Sequence, residues 1–254
     1  MNVREEAAQL RELCQGHYES GNLPQAVDLI QECLAIDSDD ARTLELNGLI
    51  QYSAGRYQDS VDSLESASMA VPLRLAAQVC LAHGYGKLGK LQLSSDLLTE
   101  LLDTADVPVP LLLQVGIGLD QADRPDLAIR ACRQAADKKP NYAQTWYDMG
   151  YYIGRCGGPD DEVEQLARKA VELAPDCTRY RVGLAGLLIR NDRSKEAHEF
   201  ISDFSNDDIR SITCTCCLRR VISVYEQAHD YRRVVVGREH LVLIENSRSS
   251  HGPC

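Results

Sequence analysis

Apolar residues between Ala41 and Arg74 recur every three or four positions, the spacing of one face of a helix. The first run contains Leu44, Leu46, Leu49, Ile50 and Tyr52, with Gly48 on the same stripe, and the second contains Val61, Leu64, Ala67 and Met69. The break Ala54-Gly55-Arg56 separates the two runs, and Pro72 follows the second. The pattern predicts two short helices joined by a turn. A hairpin this small cannot bury its own apolar face, so it requires neighbours stacked on both sides.

Small residues return along the chain at a nearly constant interval. One series is Cys14, Gly48, Ala82, Gly116 and Gly150, each 34 residues after the last, and then Ala185 after 35. Two further series also advance by 34 residues, with one interval of 35. The second series is Ala26, Ser60, Ser94, Ala128, Val163 and Ala197, and the third is Cys33, Ala67, Leu101, Ala135, Ala170 and Phe204. We expect the first series to mark points where helices approach closely, because a larger side chain there would push their backbones apart.

The interval and the motifs within it resemble the tetratricopeptide repeat. The motifs are Trp146-x2-Met149-Gly150 with Ala170 and Pro175, Leu44-x2-Asn47-Gly48 with Ala67 and Pro72, and Leu112-x2-Val115-Gly116 with Ala128, Ala135 and Pro140. The resemblance implies an all-α fold, a right-handed superhelical solenoid of about seven antiparallel helix pairs within a single domain, 1–246. The expected repeats are 7–40, 41–74, 75–108, 109–142, 143–177, 178–211 and a degenerate 212–246. Residues 234–244 are rich in β-branched side chains, which leaves an edge strand as the alternative to a helix. The tail, 247–254, is expected to be disordered.

Composition and charge narrow the class of partner. The chain has 38 acidic and 27 basic residues and a formal charge of −11. No run of Lys or Arg is long enough to follow a phosphate backbone, so we expect no nucleic-acid binding. The charged N-terminus is unlike a secretory signal, and no apolar stretch approaches membrane-spanning length. These features predict a cytoplasmic protein without membrane insertion, whose ten cysteines are reduced.

In repeat proteins of this kind the first helices line a concave channel, so the resemblance implies a binding surface from residues off the packing stripe. The predicted peptide-binding groove consists of Leu49, Tyr52, Val79, His83, Leu113, Ile117, Tyr147, Tyr151, Val182 and Ile189, with Glu45 and Asp120 beside them. Tyrosine and aliphatic groups on an exposed strip are typical of a binding surface. The alternative is that these residues belong to the core. The Lys, Arg and Asn clamp of chaperone-tail binders is absent here, which favours an extended, partly apolar segment as the ligand.

The predicted function is therefore a protein or peptide interaction module, either an adaptor, an assembly factor or a substrate-holding chaperone. The alternative is a scaffold that forms a homodimer through 234–244. We expect no enzyme activity, because no Ser, Cys or acid accompanies His17, His83 or His198 in a catalytic pattern. We also expect no cofactor and no metal. Cys214, Cys216 and Cys217 are close in sequence, with His229 or His240 as a further candidate ligand, but they lack the regular spacing of zinc sites.

Overall fold

The structure, a computed structural model, describes residues 3–249 and the side chains of residues 5–247. Within that range all regular secondary structure is helical. The chain divides into two compact units, 1–138 and 139–254, and each is described separately below. None of the described helices combines the length and the apolarity needed to cross a lipid bilayer.

The first unit contains four helix pairs in succession. Their helices are α1 (Val3–Glu19), α2 (Leu23–Ile36), α3 (Ala41–Ser53), α4 (Tyr57–Ala70), α5 (Leu75–Lys87), α6 (Leu91–Asp103), α7 (Val109–Gln121) and α8 (Pro125–Lys138). Each helix packs against the next, and α1, α3, α5 and α7, the first helices of the pairs, also touch in series. This is the stacking that the short amphipathic hairpins require.

The second unit contains three helix pairs and one extra short helix. Its helices are α9 (Ala143–Arg155), α10 (Asp160–Leu173), α11 (Thr178–Arg190), α12 (Ser194–Glu199), α13 (Asn206–Arg210), α14 (Thr215–Gln227) and α15 (Tyr231–Ser249). Residues 234–244 lie within α15, so the edge-strand alternative is wrong. Residues 247–249 of the predicted disordered tail end that helix, and 250–254 lie outside the described residues.

The small-residue series has a common structural position. Gly48, Ala82, Gly116, Gly150 and Ala185 each stand seven residues after the start of a first helix of 13 residues. A Cβ added to Gly48 would lie 2.4 Å from the Leu64 Cγ atom and 3.1 Å from the Ser60 carbonyl oxygen, both on the second helix of that pair. The Ser60 hydroxyl also donates a 2.7 Å hydrogen bond to the Gly48 carbonyl. The helices therefore meet backbone to backbone at this point.

The turn inside each pair supplies a second periodic feature. One residue per turn has a positive φ: Gly21, Gly55, Gly89, Asp123, Gly157, Asp192 and His229. This left-handed conformation ends the first helix and reverses the chain within three or four residues. The sequence pattern that predicts the repeats did not identify this series, because three of its members are not glycine.

The sixth pair departs from the regular geometry. Its second helix, α12, has only six residues, and Phe204 of the third series lies beyond it. Phe204 is nevertheless buried in the core of the second unit with Leu184, Ile201 and Tyr225. Ser205 then starts α13, where its hydroxyl accepts the Asp208 N–H and the Asp208 carboxylate accepts the Ser205 N–H. This reciprocal capping stabilises a new helix where the repeat pattern predicts continuation of the old one.

Candidate functional site

The ten residues of the predicted groove fall at matching places on the first helices, but the structure divides them by exposure. Val79, His83, Leu113 and Val182 are buried, with 3 to 7% of their surface exposed. Leu49, Tyr52, Ile117, Tyr147 and Ile189 are half-buried. Tyr151 is 55% exposed. The predicted strip is therefore not one continuous exposed surface.

The four buried positions correct the expectation that these side chains are available to a partner. Neighbouring first helices pack so closely that the residues between them become core. His83 shows this directly, because its Nε2 atom lies 2.9 Å from the Gln114 carbonyl oxygen on α7. A carbonyl oxygen only accepts, so this nitrogen carries the proton. Burial lowers the pKa of His83 below its ordinary value of 6.5, although the bond to Gln114 acts in the opposite direction.

Glu45, also expected beside the groove, is fully buried and joins successive helix pairs. Its carboxylate accepts the Arg74 N–H at 2.9 Å and the Arg74 Nε at 3.0 Å, and Arg42 donates to its other oxygen at 2.7 Å. Burial alone would raise the pKa of Glu45, but these hydrogen bonds and the guanidinium charge outweigh it and lower the pKa. Glu45 therefore has a structural role: it holds the start of α5 against α3.

A groove of about 610 Å³ lies within the second unit, between α9, α10 and α11. We call it the α9–α11 groove. Its lining residues are Tyr147, Gly150, Tyr151, Gly154, Arg155, Asp160, Val163, Ala167, Gly183, Leu187, Arg190 and Asn191. The volume is within the range of small-molecule and peptide side-chain sites. Of the ten predicted groove residues, only Tyr147 and Tyr151 line it.

The two tyrosines line the groove and differ in exposure. The Tyr147 ring packs 4.9 Å from the Tyr180 ring, with the Arg179 guanidinium 5.0 Å from its centre. It also covers Gly183, where an added Cβ would lie 2.6 Å from the ring. Burial raises the pKa of Tyr147, so its hydroxyl stays protonated at neutral pH. Tyr151 makes an edge contact with Tyr152, 5.5 Å between ring centres, and more than half of its surface is exposed.

The rim of the groove carries both signs of charge. Arg190 and Asp160 are exposed, and neither has an ion pair among the described side chains. Asn191 adds an amide that donates and accepts. Together with Leu187, Val163 and the tyrosines, these groups offer an apolar floor with polar contacts at its edge. Such an arrangement suits a peptide, whose backbone is polar and whose side chains are partly apolar.

The residues that the sequence interpretation missed are mostly small. Gly154 leaves space in the groove because it contributes no side chain, Gly183 admits the Tyr147 ring, and Arg190 and Asn191 come from the end of α11. One signal was available: Gly154 is the twelfth residue of α9, where the corresponding residue of α3 is Tyr52. A loss of bulk at a periodic site indicates a cavity there.

The cysteines fall into two environments. Cys14, Cys33, Cys80 and Cys132 are buried among the packed helices. Cys214, Cys216 and Cys217 instead meet at the start of α14, with all three Sγ atoms within 4.8 Å of one another. Burial opposes ionisation of Cys214, but hydrogen bonds from Cys216 and from backbone N–H groups lower its pKa to about 7. Burial and the neighbouring thiols raise the pKa of Cys217 to about 12.

Comparison with solved structures identifies the fold. The structure of YrrB, described as a TPR protein with an unusual peptide-binding site, matches with a TM-score of 0.56 and 18% identity, over 70% of this chain and 91% of that one. A structure of MamA matches with a TM-score of 0.55 and 20% identity, over 66% of this chain and 97% of that one. No protein-family profile and no curated protein sequence matches the chain. The chain thus has the tetratricopeptide-repeat fold.

Proposed function

Because the chain has the tetratricopeptide-repeat fold, we propose that it is a non-catalytic protein-protein interaction module that binds an extended, partly apolar peptide in the α9–α11 groove. The observation that carries the proposal is the exposed ring of Tyr151 beside an unfilled groove of about 610 Å³. An apolar or aromatic side chain of the partner would lie on Tyr151 and Leu187. The adjoining peptide backbone would meet Arg190 and Asn191. An adaptor, an assembly factor and a substrate-holding chaperone would each use such a site.

Two features support a peptide over a small metabolite. The groove is lined by three helices, and exposed Tyr151 and Arg190 leave it accessible to an extended chain. YrrB, which shares the fold, is itself described as having a peptide-binding site. A likeness of 18% identity carries no residue from that protein to this one. The assignment therefore depends on the chemistry of the groove itself.

The test begins with peptides selected from a random displayed library against the full chain. Binding of the best synthetic peptide is measured by calorimetry for the wild type and for Tyr151→Asp. We expect at least a tenfold loss, because a carboxylate replaces the apolar face on which the partner lies. Leu93→Asp is the matched control, since Leu93 on α6 is a similarly exposed apolar residue outside the groove, 51% exposed. Equal affinity for the wild type and Tyr151→Asp would reject the site.

A second candidate function, self-association, is favoured by the exposed face of α15. Tyr231, Val235, Val242 and Leu243 are 54 to 66% exposed. Tyr231, Val235 and Val242 are spaced by four and seven residues, so they share one side of the helix. Exposed apolar stripes of this kind are typical of helix pairing.

Two charged residues beside this stripe favour a second copy of the chain as the partner, with the two α15 helices antiparallel. Arg232 and Glu239 are exposed seven residues apart on the same flank, and neither has an ion pair among the described side chains. A two-fold axis near the middle of the stripe would bring Arg232 of one copy close to Glu239 of the other, twice per dimer. The pairing would bury both copies of Tyr231, Val235 and Val242.

Sedimentation equilibrium tests this second candidate. We expect a dimer for the wild type, a monomer for the double variant Val235→Glu and Val242→Glu, and weakened dimers for Arg232→Glu and for Glu239→Arg. Combining the two charge reversals should restore the dimer, because the ion pairs re-form with opposite polarity. A wild-type monomer at every concentration reached would exclude self-association. It would leave the peptide-binding proposal untouched.

A further inference from the structure

Three thiols converge at one surface point of the second unit. Cys214 is the N-cap residue of α14, and Cys216 and Cys217 lie in its first turn. The Sγ atoms of Cys214 and Cys216 are 2.8 Å apart, and all three Sγ atoms lie within 4.8 Å of one another. The start of a helix brings these side chains together, because the N-cap side chain folds back over the first turn.

Packing does not account for the cluster. The four buried cysteines of the first unit act as small apolar groups inside the helix stack. In α14 the side chains that fill the core include Leu218, Val221 and Tyr225, each at most 1% exposed. Cys216 is exposed and Cys217 is half-buried. Cys217 also packs against the core of the second unit, but packing explains neither exposed Cys216 nor the meeting of the three Sγ atoms.

The donor set matches a soft metal ion. Thiolates favour Zn(II), Cu(I) and related thiophilic ions over hard cations. Metal–sulfur bonds of about 2.3 Å place the sulfur atoms of one site about 3.8 to 4.0 Å apart. The present Sγ separations, from 2.8 Å to at most 4.8 Å, bracket that distance. The backbone N–H groups at the start of α14 point toward this end of the helix and favour the negative charge of the thiolates.

The two histidines that the sequence offers as further metal ligands form hydrogen bonds to other groups. The His240 Nε2 atom lies 3.1 Å from the Ile212 carbonyl oxygen, and the His229 Nδ1 atom lies 3.2 Å from the Tyr231 hydroxyl. Within the described part of the chain, the group that meets metal-site geometry contains only the three cysteines. The protein would therefore supply three ligands to the ion, and one coordination position would remain open to solvent.

We propose that Cys214, Cys216 and Cys217 bind one thiophilic metal ion as three thiolates. Three metal–sulfur bonds form as three S–H protons pass to solvent, and no electron is transferred. The ion would join the segment before α14 to its first turn, and the exposed position would make it exchangeable. The site is separate from the α9–α11 groove, so its presence does not depend on peptide binding.

The experiment titrates the reduced, chelator-treated full chain with Cd(II). Binding is followed by the ultraviolet thiolate-to-cadmium absorption and by elemental analysis after desalting. We expect one equivalent per chain, and at least a tenfold weaker affinity in each of Cys214→Ser, Cys216→Ser and Cys217→Ser. Cys156→Ser is the matched control, because Cys156 is an exposed cysteine outside the cluster. Circular dichroism shows that each variant is folded.

Two outcomes would overturn the proposal. The first is a reduced wild-type chain that leaves Cd(II) unbound. The second is binding that persists in the triple serine variant, which would place the ion on other cysteines. Separate titrations with Zn(II) and Cu(I) then identify the preferred ion: we expect Cu(I) to be bound by the three thiolates alone, and Zn(II) to take a further ligand from solution.

Discussion

Corresponding positions on the first helices serve packing in the first unit and leave a groove in the second. The fifth residues of α3, α5 and α7 are Glu45, Val79 and Leu113, all buried. The fifth residue of α9 is Tyr147, which lines the α9–α11 groove. The same helix geometry therefore produces either core or an open groove, depending on the side chains that meet between neighbouring first helices.

The difference follows from whether a large side chain or a glycine stands in the space between neighbouring first helices. In the first unit the ninth residue of α5 is His83, whose ring reaches the Gln114 carbonyl and fills the space between α5 and α7. In the second unit Gly154 supplies no side chain, and the ninth residue of α9, Tyr151, lines the groove and is exposed. The α9–α11 groove therefore lies where α9 carries a glycine in place of a larger side chain.

The largest expected effect compares a packed position with an open one. Leu113→Ala removes a buried side chain that is 3% exposed, and we expect a loss of about 3 kcal/mol in the free energy of unfolding. Tyr151→Ala, at a position 55% exposed, should cost less than about 1 kcal/mol. Urea denaturation followed by circular dichroism measures both. Similar losses in the two variants would show that Tyr151 is also core.

The next effect concerns the close approach of helices. Gly48→Ala places a Cβ 2.4 Å from Leu64 Cγ, and we expect a net cost of about 2 kcal/mol. Gly16→Ala is the matched control, since nothing lies within 4 Å of a Cβ at that helical glycine. It should gain about 0.5 to 1 kcal/mol from helix propensity. A neutral Gly48→Ala, measured by the same denaturation, would contradict backbone contact at Gly48.

The fold was predictable from the sequence because its cause is periodic. Gly48, Gly116 and Gly150 recur where helices touch, and a repeated steric requirement is visible in one sequence. The groove was only partly predictable. Tyr147 and Tyr151 were identified, whereas the burial of His83 depends on its bond to Gln114 in the next pair. The early end of α12 depends on the Ser205 and Asp208 cap, which competes locally with the repeat pattern.

A smaller effect tests the buried carboxylate of the first unit. Glu45→Gln keeps the shape but removes the charge that Arg42 and Arg74 contact, and we expect a loss of about 1.5 kcal/mol at pH 7. The folded pKa of Glu45 is lowered from 4.5. Its contribution is therefore complete above about pH 4.5 and is lost as the pH falls through the folded value. Stability of the variant should depend less on pH below 4.5, and an unchanged profile would contradict the role of the ion pair.

The smallest effect concerns His83. Its folded pKa lies below 6.5, so the unfolded chain takes up a proton at higher pH than the folded chain. Stability should be complete above about pH 6.5 and should fall as the pH drops from there to the folded pKa. His83→Gln removes this titration, and thermal melts between pH 5 and 7.5 compare the two proteins. A wild-type melting temperature with the same pH profile as the variant would show that His83 is not buried as a neutral group.

Hydrogen-deuterium exchange with and without a library-selected peptide tests the central claim most directly. We predict that protection on binding concentrates in the peptides covering 147–155, 160–167 and 183–191, and that α3, α5 and α7 of the first unit change little. Tyr151→Asp should abolish this protection while leaving the exchange of the free protein unchanged. Protection centred on the first helices of the first unit would contradict the account, because their inner positions would then be the surface that the partner uses.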